Sequence, residues 1–242
     1  DDTTLPPDDK SQSADHTVRF PPTVSFPNFD EMWGFPGTAG DSAADDNSVD
    51  YVVETDDGKS KEISIDLGIE SHNQYRLDDT LFIGDQSARE IGCLSVAIAE
   101  AIGINPEAFI ENLNANGGYN SNNFLNWNRA AELYGCDLKQ ESGKFENTKD
   151  SIVEYLEAGI PVIGQIRTSR GYHYFVITGF TGTVGKNTDG SYDLSNVTMD
   201  MFTVNDPKDG NSKTLTQAVG ANNFNAIAVY IPPKTPKGVG GR

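Results

Sequence analysis

Between residues 80 and 231 the hydrophobic pattern changes its period once, and that change constrains the fold more than any other feature of the chain. Up to residue 159 the apolar residues recur at helical spacing. "CLSVAIAEAIG" places Leu94, Ala97, Ile98, Ala101 and Ile102 on one helix, with Gly103 as its stop. "NPEAFIENLNANGG" has Asn105 as N-cap, Pro106 in the first turn and Gly117 past the end. "NWNRAAELYGC" is a third helix ending near Gly135, and "NTKDSIVEYLEAG" a fourth, capped near Asn147 or Thr148 and ended at Gly159. Strand patterns follow: the apolar run "IPVIGQI", the alternating "YHYFVITGF", then "MFTVND" and "NAIAVYI". Helices first and antiparallel-looking strands second predict an α+β fold rather than an alternating α/β one.

The residues before this region read differently. "YVVETDDGKSKEISIDL" predicts a β-hairpin turning at Asp57-Gly58. Residues 17–47 are rich in Pro, Gly and Asp, and carry Phe20, Phe26, Phe29, Trp33 and Phe35. With the hairpin they form an expected N-terminal arm, residues 17–79, docked on the main body. Residues 1–16 and 233–242 have linker composition, the first expected to be disordered, so the chain reads as a monomeric module of a larger protein.

The formal net charge of -18, from 36 acidic and 18 basic side chains, argues against nucleic acid and anionic membranes, whose phosphates are bound by Lys and Arg. It suits an extracellular protein handling neutral or cationic partners. No apolar run approaches the roughly 18 residues of a membrane span.

Two cysteines, Cys93 and Cys136, do not make a disulfide framework, though a single bridge between them stays open. Cys93 falls at the predicted start of an apolar helix, where unpaired N–H groups and the positive end of the dipole favour a thiolate. The competing reading is a buried structural cysteine. Three histidines are available as partners: His16 near the start, His72 in the polar stretch "ESHNQYRLDD", read as a surface residue, and His173, which opens a strand after the turn "SRGY". Asn205 and Asp206, at the end of "FTVND", offer an amide and a carboxylate to orient an imidazole on a neighbouring strand; the alternative is plain Asn-Asp-Pro turn chemistry.

Cys at a helix start, a Gly-Ile-Pro-Val-Ile strand, Tyr-His on the next strand, then Asn-Asp-Pro: this order resembles the papain-like cysteine peptidases. It is closest in pattern to the bacterial branch related to the bacteriocin-processing peptidases that cut double-glycine leaders. "IGCLSVAIA" is similar to their nucleophile helix, "YLEAGIPVIGQI" to the strand before the histidine, and "YHYFVITGF" and "VNDP" to the base and orienter strands. The resemblance covers residues 80–232. It implies a papain-like fold whose helical part carries the nucleophile against an antiparallel sheet, and a bacterial extracellular or cell-surface location. It implies Cys93 as nucleophile, His173 as general base, Asp206 as orienter with Asn205 as the alternative, and Gln86 as oxyanion donor. The substrate would be a peptide or protein, with no cofactor.

Three departures stand out. Gln86 lies seven residues before Cys93, one further than the family pattern places it, and losing such a donor costs on the order of 100- to 1000-fold in rate. Leu94-Ser95-Val96 stands where the family often has Gly-Pro-Thr. The 33-residue interval from His173 to Asp206 holds an expected inserted loop or hairpin around Asp189-Gly190. These leave a second reading open, a catalytically inactive binding or scaffold module. Calcium is a third consideration, at Asp56-Asp57-Gly58, at Asp189 with Asp193, or at Asp206 with Asp209; none has the spacing of a known calcium loop.

Overall fold

The computed structural model describes residues 60–189 and 191–233. The first half of the expected hairpin, the aromatic arm, residues 1–16 and 234–242 of the linker segments, His16, Trp33, Asp56, Asp57 and Gly190 lie outside the described residues.

An antiparallel sheet organises the described chain. Its strands are β1 (Ser60–Asp66), β4 (Asp137–Ser142), β5 (Val162–Thr168), β6 (Gly171–Lys186), β7 (Tyr192–Asp193), β8 (Phe202–Asp206), β9 (Asn211–Thr214) and β10 (Asn223–Ile231). The order is β4-β10-β5-β6-β8-β9, with β1 and β7 also paired to β6. A small separate hairpin joins β2 (Phe82–Ile83) to β3 (Gln86–Ser87). The helices are α1 (Ala88–Ile91), α2 (Cys93–Ala101), α3 (Pro106–Ala115), α4 (Trp127–Leu133), α5 (Phe145–Glu157) and α6 (Leu215–Val219). The fold is α+β and papain-like.

Side chains alternate across the sheet, and each face builds its own core. Val162, Phe175, Ile177, Val204 and Ile227 pack with Phe145, Ile152 and Leu156 of α5. Their neighbours Ile163, Val176, Ala228 and Tyr230 pack with α2, α3 and α4. Each fully buried Ile, Val or Phe contributes about 1.5–3 kcal/mol of transfer free energy. Gly164 is required here: a Cβ would stand 2.3 Å from the Phe175 ring.

α2 is buried from Ser95 to Ala101, as a helix apolar all round should be. Asn105 caps α3 as its sequence predicts, accepting from the N–H groups of Glu107 and Ala108, with Pro106 opening the helix. α5 begins at Phe145, two residues before the expected cap, and no side chain caps it. Phe145 wins the boundary because its ring packs edge-on against Phe202 and Phe224. β4 interrupts the expected run of helices and sends α5 to the opposite face from α2, α3 and α4. The expected insertion is the far half of β6, which runs on to Lys186 and turns into β7, with the Asn187 N–H on the Ser191 carbonyl. Among the described residues no single helix is long and apolar enough to cross a membrane.

Candidate active site

Gly92 sets the position of the thiol. Its N–H closes α1 on the Ala88 carbonyl at 2.8 Å, and α2 starts at the next residue. A Cβ on Gly92 would sit 2.3 Å from that carbonyl oxygen, so only glycine permits this junction. Cys93 is thereby the first residue of a nine-residue helix, half-buried and free. The unpaired N–H groups of that first turn face a thiolate favourably.

β6 and β8 position the other two groups. His173 lies opposite Ile166 in β5, near the start of β6. Asp206 closes β8 and pairs with Asn211 of β9. His173 Nε2 and Asp206 Oδ1 are 2.7 Å apart. Cys93 acts electrostatically on the same ring, favouring its charged form. With Nε2 engaged by Asp206, Nδ1 is the nitrogen left for sulfur.

Burial works against a charged His173, but the Asp206 hydrogen bond and Cys93 outweigh it and raise the imidazole to about 9. Burial likewise opposes an ionised Asp206. The bond to His173, the imidazolium charge, the Lys208 N–H and Lys213 overcome it and lower the carboxyl to about 2. Both shifts favour the charged pair.

Asn205 does not reach His173. It is buried, its amide donates to the Ile69 carbonyl at 2.8 Å, and its Oδ1 accepts from the Ser212 hydroxyl at 2.7 Å. Successive strand side chains point to opposite faces, so only one of the neighbours can orient the ring. Gln86 is exposed on β3, its backbone paired with Ile83. Cys136 is a different kind of thiol, packed against the α2–α4 core and pushed by burial up to about 11. Both cysteines are free.

Three of the carboxylates weighed for calcium, Asp189, Asp193 and Asp209, act as turn acceptors. Asp189 Oδ1 takes the Ser191 N–H and hydroxyl, Asp193 Oδ1 the Ser195 N–H, and Asp209 Oδ1 the Asn211 N–H. Among the described residues no three His, Cys, Asp or Glu side chains group as a metal site. Trp127 packs against Tyr174 and Tyr230.

The sequence profile of the Peptidase_C39 like family matches residues 85–234. The chain belongs to that family. Among curated proteins none matches it. The Peptidase_C39 like match makes this a cysteine peptidase-like domain, and Cys93, His173, Asp206 and Gln86 all fall inside it.

Two residues beside this Peptidase_C39 like site gave no signal in the sequence. Gln74, in a 3-10 turn at Gln74–Arg76, is 4% exposed. Its amide donates to the Arg89 carbonyl at 2.9 Å and its backbone N–H to the Pro207 carbonyl at 2.8 Å. It therefore ties the helix turn leading to Cys93 to the loop following Asp206. His72, read as a surface residue, instead stands against the buried Glu100 of α2, its Nδ1 3.6 Å from Oε1. A Gln and a His in a polar stretch look like solvated residues; only the distant partner distinguishes them.

Proposed function

We propose that this domain hydrolyses a peptide or amide bond through a thioester acyl-enzyme. His173 takes the Cys93 proton on Nδ1, and the thiolate attacks the substrate carbonyl carbon. The tetrahedral intermediate expels the amine, which leaves with the proton returned by His173. His173 then deprotonates a water that attacks the thioester, releasing the acid and restoring the thiol. Asp206 holds the ring on Nε2 throughout and stabilises its cationic form. The observation that carries this reading is the 2.7 Å contact between His173 Nε2 and Asp206 Oδ1, on a ring that Cys93 also favours in its charged form. General base catalysis of this kind contributes on the order of 100- to 10,000-fold.

The net charge of -18 favours a neutral or basic peptide as substrate. The inactive-scaffold reading is favoured by one observation, the exposure of Gln86, because an oxyanion donor has to be fixed and shielded. Iodoacetamide labelling at pH 6 separates the two readings. An activated Cys93 alkylates much faster than free cysteine, and Cys93→Ala removes the fast site. Slow labelling of both cysteines, together with no Cys93-dependent turnover of a peptide library, would leave the scaffold reading standing.

A further inference from the structure

The reaction above uses one oxygen of Asp206. The other belongs to a lysine that the catalytic scheme does not mention. Asp206 is 3% exposed, so each of its carboxylate oxygens needs a partner inside the protein. Oδ1 takes His173 Nε2 at 2.7 Å and the Lys208 N–H at 3.0 Å. Oδ2 takes Lys213 Nζ at 3.0 Å. We propose that Lys213 is the positioning residue of this site, fixing the Asp206 carboxylate on His173 and offsetting part of its charge.

Three features make Lys213 a built part of the site rather than a passing surface cation. It comes from β9, opposite Val204 of β8, so the strand ladder sets its place relative to Asp206. Its side chain is 18% exposed, which limits solvent screening. Asp209 holds it from the far side, Oδ2 to Nζ at 2.6 Å. The turn carrying Asp209 is itself anchored: Asn73 donates to the Asp209 carbonyl at 3.0 Å, and Gly210, at φ 68°, packs so close to Asn73 that a Cβ would lie 2.7 Å away.

The consequence is electrostatic as well as geometric. An unopposed carboxylate on Nε2 would hold the imidazole proton too firmly to pass it to a leaving amine. A cation on the opposite oxygen weakens that grip while leaving the hydrogen bond intact. The charged and titratable groups around the pair are Cys93 and Glu100 from α2, Lys213 and Asp209 from the β8–β9 hairpin, and His72, which stands on Glu100. Of these, Lys213 is the cation in contact with Asp206 through its side chain.

The inference rests on the proposed roles of His173 and Asp206, and its test needs no substrate. The titration of the His173 ring nitrogens is followed by NMR in the full chain, in a Cys93→Ala background so that the thiol does not titrate with it. Lys213→Met should raise the His173 midpoint by roughly one pH unit, the effect of removing a nearby cation. Lys213→Arg should keep the midpoint of the parent. Lys213→Gln, which supplies a donor without charge, should still raise it, and this variant serves if the methionine protein does not fold. A folded Lys213→Met or Lys213→Gln protein with an unmoved midpoint, even one that melts earlier, overturns the proposal. If the midpoint moves but the native chain turns over no substrate, the hydrolase reading fails and the role of Lys213 toward Asp206 and His173 stands.

Discussion

Glu100 accepts the backbone N–H of His72 at 2.6 Å from a position about two turns along the helix that Cys93 begins. Its side chain is fully buried, so this carboxylate depends on the His72 imidazole, 3.6 Å from the same oxygen, for its counter-charge. The Glu100 carboxylate beside the ring raises His72 above its ordinary value, although burial pulls the other way. Burial raises Glu100.

Both shifts carry the same sign. A raised group binds its proton more tightly in the folded state, so its stabilisation is present at low pH and is lost as pH rises. For His72 it is complete below 6.5 and declines as pH passes through the folded value; for Glu100 the decline starts above 4.5. Thermal melts should therefore show this contribution falling as pH is raised from 5. Glu100→Ala should cost about 2 kcal/mol at pH 5 and flatten that slope. A slope unchanged by the substitution would show that the pair does not govern it.

Asp206→Asn tests the orienter. An amide keeps the shape but removes the charge that helps hold His173 at about 9. The alkaline limit of the Cys93 alkylation profile should move down toward 6.5, and turnover should fall on the order of 100-fold or more. With the native carboxylate, the imidazolium's contribution to stability is complete below 6.5 and disappears as pH rises to about 9. The variant should lose that window, as chemical denaturation at pH 7 and pH 10 would report.

Gln74→Ala and Gln86→Ala should differ. Gln74 is buried between the segments carrying Cys93 and Asp206, whereas Gln86 is solvent-exposed on a separate hairpin. Loss of Gln74 should cost about 1–3 kcal/mol of stability through the unpaired Arg89 carbonyl and reduce turnover sharply. Loss of Gln86 should leave stability within about 0.5 kcal/mol. Rates on one substrate test Gln86 as the oxyanion donor: a fall on the order of 100-fold or more in Gln86→Ala supports that role, and an unchanged rate removes it.

Gly92→Ala places a methyl 2.3 Å from the Ala88 carbonyl oxygen, and backbone atoms must shift to accept it. The expected cost is about 1–3 kcal/mol, the range for overpacking. Because Gly92 joins α1 to α2, the same shift moves Cys93. The variant should lose fast alkylation at pH 6 under conditions where circular dichroism still shows a folded protein.

Local chemistry made much of this molecule readable from its sequence. Asn105 with Pro106 marks a helix start wherever it occurs, and the alternation in "YHYFVITGF" marks a half-buried strand. Cys93 stood out because an apolar helix begins there. β4 was illegible for the opposite reason. "DLKQES" is a polar edge strand with no apolar alternation, and it forms because β10 offers it a ladder. Lys213, Glu100 and Gln74 are common residues in polar or helical surroundings. Their meaning lies in Asp206, His72 and Arg89, which come close only in the folded chain. Asp206 as orienter, with Asn205 as the alternative, is as far as the sequence goes; the pleat assigns Asp206 to the ring and Asn205 to Ile69 and Ser212.

β6 is one continuous ribbon with a division of labour along its length. Its opening residues carry His173 against β5, while its far half, past Gly179, reaches out to meet β1 and β7. Chain added between His173 and Asp206 thus lengthens the outer end of the sheet and returns to β8 with the ring and carboxylate still in step. Evolution can rebuild that remote edge, in size or in sequence, without renegotiating the distance on which the chemistry turns.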